Sequence, residues 1–289
     1  MFAMDKLKIT IQKEGRLNDK SLKLIEDCGI SLTQEGRRRL VSVGQNFPLE
    51  VLYVRDDDIP RYVYDGVADI GIVGENTVME KNKDVKIIER LGFARCRLSL
   101  AIPQSVKYSD RSFFNGKKIA TSYPVILKNY LDENNIKADI HEISGSVEIA
   151  PGIGLADSIF DIVSSGSTLI SNRLKEVEVV CHSEAVIIAA PSLAEGKQKI
   201  LDDLLFRIRS VQRSRNYKYI LLNVPDDKID KIVKLLPGMK SPTIIPLYEK
   251  GWSSLHSVIS ENEFWEVIGK LKEYGAQGIL VTSIDKMII

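Results

Sequence analysis

Gly66-Val67-Ala68-Asp69-Ile70-Gly71-Ile72-Val73-Gly74 and, later in the chain, Gly154-Leu155-Ala156-Asp157-Ser158-Ile159-Phe160-Asp161-Ile162-Val163 follow one plan. Each reads Gly-x-Ala-Asp, then a short apolar run, then a loop. Short apolar runs bounded by turn residues are buried strands. The recurrence predicts two similar α/β lobes facing each other, and clefts between lobes are where small ligands bind.

Working outward, Leu7, Ile9 and Ile11 alternate with polar residues and predict a strand over Lys6–Ile11. A polar loop, Gln12-Lys13-Glu14-Gly15-Arg16, leads to a helix over about Asn18–Cys28, with Asn18 or Asp19 as cap and Gly29 just beyond its end. Leu49–Val54 is a second strand. Asp56-Asp57-Asp58-Ile59-Pro60 reads as the acidic, proline-bearing start of a helix. The Arg37-Arg38-Arg39 run reads as a solvated face. A second lobe opens with strands at Arg97–Ile102 and Lys117–Thr121, and Thr121-Ser122-Tyr123-Pro124 starts a helix whose N-terminus is a fair anion site. Ala185–Ala190 is a strand returning to the first lobe, followed by a helix over Gly196–Arg215.

From Tyr217 the pattern becomes a compact βαββαβ unit, the ferredoxin-like plan. Its second helix opens with a capping box, Ser260-Glu261-Asn262-Glu263. The expected domains are residues 1–95 with 183–215, 96–182, and 216–289. The fold class is α/β, a two-lobed periplasmic-binding-protein-like region with a C-terminal ferredoxin-like domain.

Composition narrows the function. Forty Lys+Arg against 39 Asp+Glu leave a net charge of +1 over 289 residues, which argues against a dedicated nucleic-acid binder. Cys28, Cys96 and Cys181 form no framework or CxxC pair, which fits a reducing compartment. No secretory pattern opens the sequence, and no apolar run reaches the ~18–20 residues of a membrane span. A soluble cytoplasmic protein is expected, with no membrane or nucleic-acid partner.

The stretch Asp161–Leu169 is the richest in chemistry. A strand bearing Asp161 runs into Ser164-Ser165-Gly166-Ser167-Thr168. Free backbone N–H groups, hydroxyls and one glycine are what a phosphate needs. Asp161 could accept from ribose hydroxyls, and the two together would suit a ribose 5-phosphate. A helix-capping turn is the plainer alternative. Glu148 could serve a metal or a sugar hydroxyl, or simply face solvent. Lys13, Gly15 and Arg16 follow the first strand, where open α/β sheets bind ligands, and suit an anion or a solvated turn. His141, His182 and His256 show no metal spacing, and neither a P-loop nor GxGxxG occurs.

Eight segments, in order, resemble the long form of the ATP phosphoribosyltransferase family, the first enzyme of histidine biosynthesis. They are Gln12–Leu17, Val54–Pro60, Asp69–Asn76, Cys96–Ala101, Ile119–Pro124, Gly145–Glu148, Gly154–Leu169 and Ser241–Leu247. The resemblance implies that adenine N1 of ATP attacks the anomeric carbon of phosphoribosyl pyrophosphate, releasing pyrophosphate, with Mg²⁺. It implies Arg16, Glu148 and Asp161 as catalytic residues, and no dedicated protein metal site. Lys13, Gly15, Tyr123, Asp157, Ser164, Ser165, Gly166, Ser167 and Thr168 would bind substrate, with Tyr123 near the adenine. Ser165 and Ser167 stand where relatives often carry Thr and Ala. The tail implies feedback by histidine through Asn223, Met239, Thr243 and Gly278, a homo-oligomer ranging from dimer to hexamer, and no separate regulatory subunit. Asn223 replaces an acidic residue of some relatives. A two-lobed solute-binding protein without catalysis is the alternative, but it would carry an export signal and no βαββαβ tail. An effector-binding regulator would need a helix-turn-helix.

Overall fold

The computed structural model describes residues 6–33 and 40–288; the Arg37–Arg39 run lies outside the described residues. Strand β1 (Leu7–Gln12) buries Leu7, Ile9 and Ile11 completely. Helix α1 (Arg16–Asp27) starts two residues before the expected cap. The turn at Gly15 brings the chain straight into the helix, so Asn18 lies inside the first turn, and its amide donates to the Gln12 carbonyl at 2.6 Å. At the other end, the Ile30 N–H reaches the Ile25 carbonyl at 3.2 Å, with Gly29 at φ +73°, the left-handed closure read from the sequence.

The remaining first-sheet elements are β2 (Val41–Val43), β3 (Leu49–Val54), α2 (Ile59–Tyr64), β4 (Ile70–Gly74), α3 (Glu75–Lys81) and β5 (Lys86–Arg90). The chain then builds a second sheet from β6 (Cys96–Pro103), β7 (Lys118–Thr121), α4 (Pro124–Glu133), β8 (Asp139–Glu142), β9 (Ser158–Val163), α5 (Ser167–Ser171) and β10 (Leu174–Ser183). It returns through β11 (Ala185–Ala189) and leaves by α6 (Glu195–Ser214). The first sheet runs β2-β3-β1-β4-β11-β5 and the second β10-β6-β9-β7-β8. Two sheets joined by two crossings, before β6 and after β10, make the periplasmic-binding-protein-like architecture. Each sheet contains a parallel set of three strands: β1 with β3 and β4, and β7 with β8 and β9.

The Gly-x-Ala-Asp repeat explains that parallel pairing. Gly66 and Gly154 turn at φ +71° and +75°, a region that favours glycine. Ala68 and Ala156 pack inside. The Asp69 carboxylate accepts the Lys8 N–H at 2.8 Å, and the Asp157 carboxylate accepts the Lys118 N–H at 2.9 Å. Each aspartate's own N–H donates to the same residue's carbonyl, Lys8 or Lys118, at 2.9 Å. Each therefore clamps the start of the neighbouring parallel strand. Asp69 also pairs with Lys197 at 2.9 Å.

A second compact unit comprises Asp203–Ile289 with Asp27–Gly29, so the division falls within α6. It holds β12 (Tyr217–Pro225), α7 (Ile229–Leu235), β13 (Thr243–Pro246), β14 (Trp252–Ser260), α8 (Glu261–Glu273) and β15 (Gln277–Ser283). The antiparallel order β13-β14-β12-β15 is the ferredoxin-like sheet. Ile220, Leu222, Val224, Ile232, Leu255, Phe264 and Leu271 form its core. The Ser260–Glu263 capping box is made in both directions.

Replacing Asp69 with alanine strands a partly buried N–H and leaves Lys197 without its carboxylate. Asp69→Ala is expected to cost about 1–3 kcal/mol, and Asp157→Ala, whose carboxylate is more exposed, about 1 kcal/mol. Urea unfolding checks this; unchanged midpoints would deny the clamps any role in stability.

Candidate active site

Parallel strands with a common direction send their carboxyl ends to one edge of a sheet, where open α/β sheets bind ligands. At the first sheet's edge, β1 ends at Gln12 and hands on to Lys13, Gly15 and Arg16, all exposed. The Lys13 N–H is tied to the Val54 carbonyl of β3 at 2.8 Å. Beyond β3 comes the Asp triplet, which does more than start a helix. Asp57 pairs with Lys81 at 3.4 Å, and Asp56 accepts the Thr77 hydroxyl at 2.8 Å while its other carboxylate oxygen is buried without a partner. Burial raises the pKa of Asp56.

At the second sheet's edge, β7 leads to Ser122 and Tyr123, β8 to Glu148, and β9 through Asp161 to the hydroxyl loop. Asp161 is half-buried and its Oδ1 accepts the Ile162 N–H at 2.7 Å. Desolvation raises its pKa, the Ile162 hydrogen bond opposes this, and the nearby Glu148 charge adds to it. Tyr123 is raised by burial first, then by the charges of Asp161, Asp56 and Asp57. This one tyrosine therefore feels carboxylates from both sheet edges. In the loop, Gly166 adopts φ +81°, the Ser165 and Ser167 hydroxyls lie 3.0 Å apart, and Ser164, Ser165, Ser167 and Thr168 are exposed.

Two supports have no local sequence signal. Arg97 on β6 forks onto Glu176 of β10, at 2.5 and 2.6 Å, and its free arm donates to the Ser164 carbonyl at 3.2 Å. Ser99 donates to the same glutamate at 2.6 Å. This brace holds the start of the hydroxyl loop. The N-terminus of α4 is not open to an anion, because the carboxylate of Glu80 on α3 already accepts the Val125 and Ile126 N–H groups, each at 3.0 Å. Pairs so far apart in sequence leave no periodic trace.

Asp157 is not brought to this edge. It sits at the opposite, amino end of β9, engaged with the Lys118 N–H and with Lys117 at 3.6 Å. Its part in the clamp explains its place in the motif. Among the described residues, no three His, Cys, Asp or Glu side chains form a metal-holding group. No described helix is long and apolar enough to cross a membrane. In the second unit, Asn223 and Gly278 are adjacent: a Cβ on Gly278 would come within 3.3 Å of the Asn223 amide nitrogen. Thr243 pairs across β13 and β14 with His256, whose ring is hydrogen-bonded to Tyr219 at 2.6 Å and Ser254 at 3.1 Å. Met239 is exposed.

Fold and site thus define a two-lobed α/β enzyme with an appended ferredoxin-like domain. The family model described as ATP phosphoribosyltransferase matches residues 55–210, and one described as HisG, C-terminal domain, matches 214–286. The ATP phosphoribosyltransferase of Cytophaga hutchinsonii is 60% identical over 282 residues, 98% of each chain. That of Bacteroides thetaiotaomicron is 56% identical over 98% of this chain and 100% of its own. Among solved structures, the ATP phosphoribosyl transferase (HisG:HisZ) complex from Thermotoga maritima aligns with a TM-score of 0.63 at 28% identity, over 72% of this chain and 98% of that one. The chain belongs to the ATP phosphoribosyltransferase family, in its long form, and is a transferase of the first step of histidine biosynthesis.

The raised pKa of Asp161 makes a signed prediction. Its carboxyl binds a proton at higher pH folded than unfolded, where the value is about 3.9. Between the two values the folded state holds more protons, so stability falls as pH rises through that window, and the cost is full above the folded value. Asp161→Asn removes the cost. Its melting temperature should gain on the parent as pH rises from about 4 towards neutrality. A gap that stays constant with pH would contradict this.

Proposed function

We propose that the transfer takes place between the two carboxyl strand edges, each supplying one substrate's anchor. Adenine N1 of ATP attacks the anomeric carbon of phosphoribosyl pyrophosphate as the bond to pyrophosphate breaks. The sugar passes through a cationic, oxocarbenium-like state, so no protein nucleophile is needed. Catalysis then comes from positioning two polyanions and stabilising charge. The Ser164–Thr168 loop donates to the 5-phosphate, and Asp161 accepts from ribose hydroxyls. Glu148 stands near the sugar, Tyr123 against the adenine, and Lys13, Gly15 and Arg16 meet phosphates across the cleft, Arg16 stabilising the leaving group. The observation that carries this reading is geometric: the Glu80 carboxylate of the first lobe accepts the Val125 and Ile126 N–H groups at 3.0 Å each, which sets the α4 start beside Tyr123 against the Asp56–Asp58 side of the first sheet.

Bound with the substrates, Mg²⁺ would supply charge neutralisation for the leaving pyrophosphate. Such an ion keeps waters and rides largely on substrate phosphates, needing one or two protein carboxylates. Asp161 and Glu148, near enough to feel each other's charge, are a set of that size. The domain division at 95/96, 182/183 and 215/216 gives two catalytic lobes and a regulatory tail. In the tail, Asn223, Met239, Thr243 and Gly278 line the histidine site, shared between subunits of a homo-oligomer ranging from dimer to hexamer, with no separate regulatory subunit. The enzyme works in the cytoplasm.

Pyrophosphate release should require ATP, phosphoribosyl pyrophosphate and Mg²⁺ together, and fall when histidine is added. Release unaffected by histidine would remove the regulatory role; no release from folded protein would favour a binding protein instead. Asp161→Ala should cut turnover roughly 100-fold or more with the fold intact, whereas Asp157→Ala should leave it within about threefold, a change worth under 1 kcal/mol.

A further inference from the structure

Helix α4 begins with Tyr123 at its N-cap and Pro124 at its first position, and no side chain of its own caps it. The Tyr123 N–H is held by the Thr121 hydroxyl at 2.8 Å, and the Leu127 N–H already reaches the Tyr123 carbonyl at 3.1 Å. The two donors left over, Val125 and Ile126, are taken one each by the two oxygens of Glu80. A carboxylate at a helix N-terminus is favoured by the unpaired N–H groups and the positive end of the dipole. Here the carboxylate comes from the other lobe.

The helix that carries Glu80 is itself anchored to the first edge. Thr77 bonds Asp56, and Lys81 pairs with Asp57. The receiving end is anchored to the second edge: the Ser122 hydroxyl donates to the Ile143 carbonyl at 2.7 Å and accepts the Gly145 N–H at 3.3 Å, which fixes the approach to Glu148. Tyr123 sits between Ser122 and the capped turn. One side chain thus joins the Asp56–Asp58 turn of the first sheet to the Tyr123 segment of the second. Swinging the lobes apart would uncover two N–H groups and the carboxylate together.

We infer that Glu80 is a positioning residue: a tether from the first lobe that holds the start of α4, and with it Tyr123, at the working distance from the opposite strand edge. The inference rests on the reaction taking place between those edges. Glu80 touches no reacting atom. Its charge also keeps a polyanionic substrate off the helix end, leaving the Ser164–Thr168 loop and the Lys13–Arg16 turn as the anion sites.

A local cap and a tether differ in one respect. Formate can refill the anion position of Glu80→Ala without linking the lobes. The tether predicts that Glu80→Ala lowers kcat/KM for ATP by roughly 10- to 100-fold, the cost of a small misplacement. Formate should restore slow amide exchange at Val125 and Ile126 but not the rate. Glu80→Gln keeps the shape while turning one acceptor into a donor that faces an N–H. It should show a milder loss of rate with a melting temperature near the parent's, and it decides the matter if the alanine variant folds poorly. Rates within about twofold of the parent for both variants, or full rescue of the rate by formate, would overturn the tether. Amide exchange at Val125 and Ile126 that is unchanged in both variants would overturn it too, whatever the parent turns over. No turnover by the parent itself would strike the substrate reading instead.

Discussion

Asp69 and Asp157 each bind both the N–H and, through their own N–H, the carbonyl of a lysine at the head of the neighbouring strand. That double clamp fixes β1 beside β4 and β7 beside β9 with the same polarity. Everything functional follows from the polarity. Parallel strands deliver their carboxyl ends together, so Lys13 to Arg16 and the Asp56 turn share one edge, while Tyr123, Glu148 and the Ser164–Thr168 loop share the other. Reversing either pairing would scatter these residues to opposite ends of a sheet.

The electrostatics of the two edges are complementary in purpose. On the proposed reading, cations and open N–H groups would serve the phosphates, while half-buried carboxylates would serve sugar hydroxyls and a cation carried by the substrate. The Asp161 carboxyl is held in a site that disfavours its charge, a cost that ligand hydroxyls or a cation would offset. Arg97 plays a supporting role: spent on Glu176, which it holds below the usual carboxylate range, it still reaches the Ser164 carbonyl. Rigid backing of this kind lets a loop of small residues keep a fixed shape.

Much of this was legible in the sequence, for identifiable reasons. The Gly-x-Ala-Asp repeat gave two lobes because the same local geometry solves the same pairing problem twice. Gly29 and the Ser260–Glu263 box were legible because helix ends carry their own chemistry within a few residues. Strand β10 was not, because irregular pairing between Glu176 and Glu178 and again between Val179 and Cys181 breaks the alternation that marks a strand. Asn18 looked like a cap because its residue type favours one, yet a strand carbonyl offered a better partner. Asp157 was expected to bind substrate because the resemblance implied it, but it lies at the amino end of the strand, where it holds the Lys118 N–H instead. Glu80 and the Arg97 brace were hidden for a simpler reason: their partners lie 45 or more residues away.

The central claim is that the loop after β9 holds the phosphate of the sugar substrate. Calorimetric titration of phosphoribosyl pyrophosphate into the parent and into Gly166→Asp tests it most directly. Aspartate tolerates the left-handed conformation better than most side chains, so it adds a negative charge to the loop with little change in backbone. The account predicts binding to the parent and none to the variant, with the variant folded and its stability lowered by no more than the roughly 1–2 kcal/mol of a left-handed side chain. Equal affinity for both proteins would contradict it.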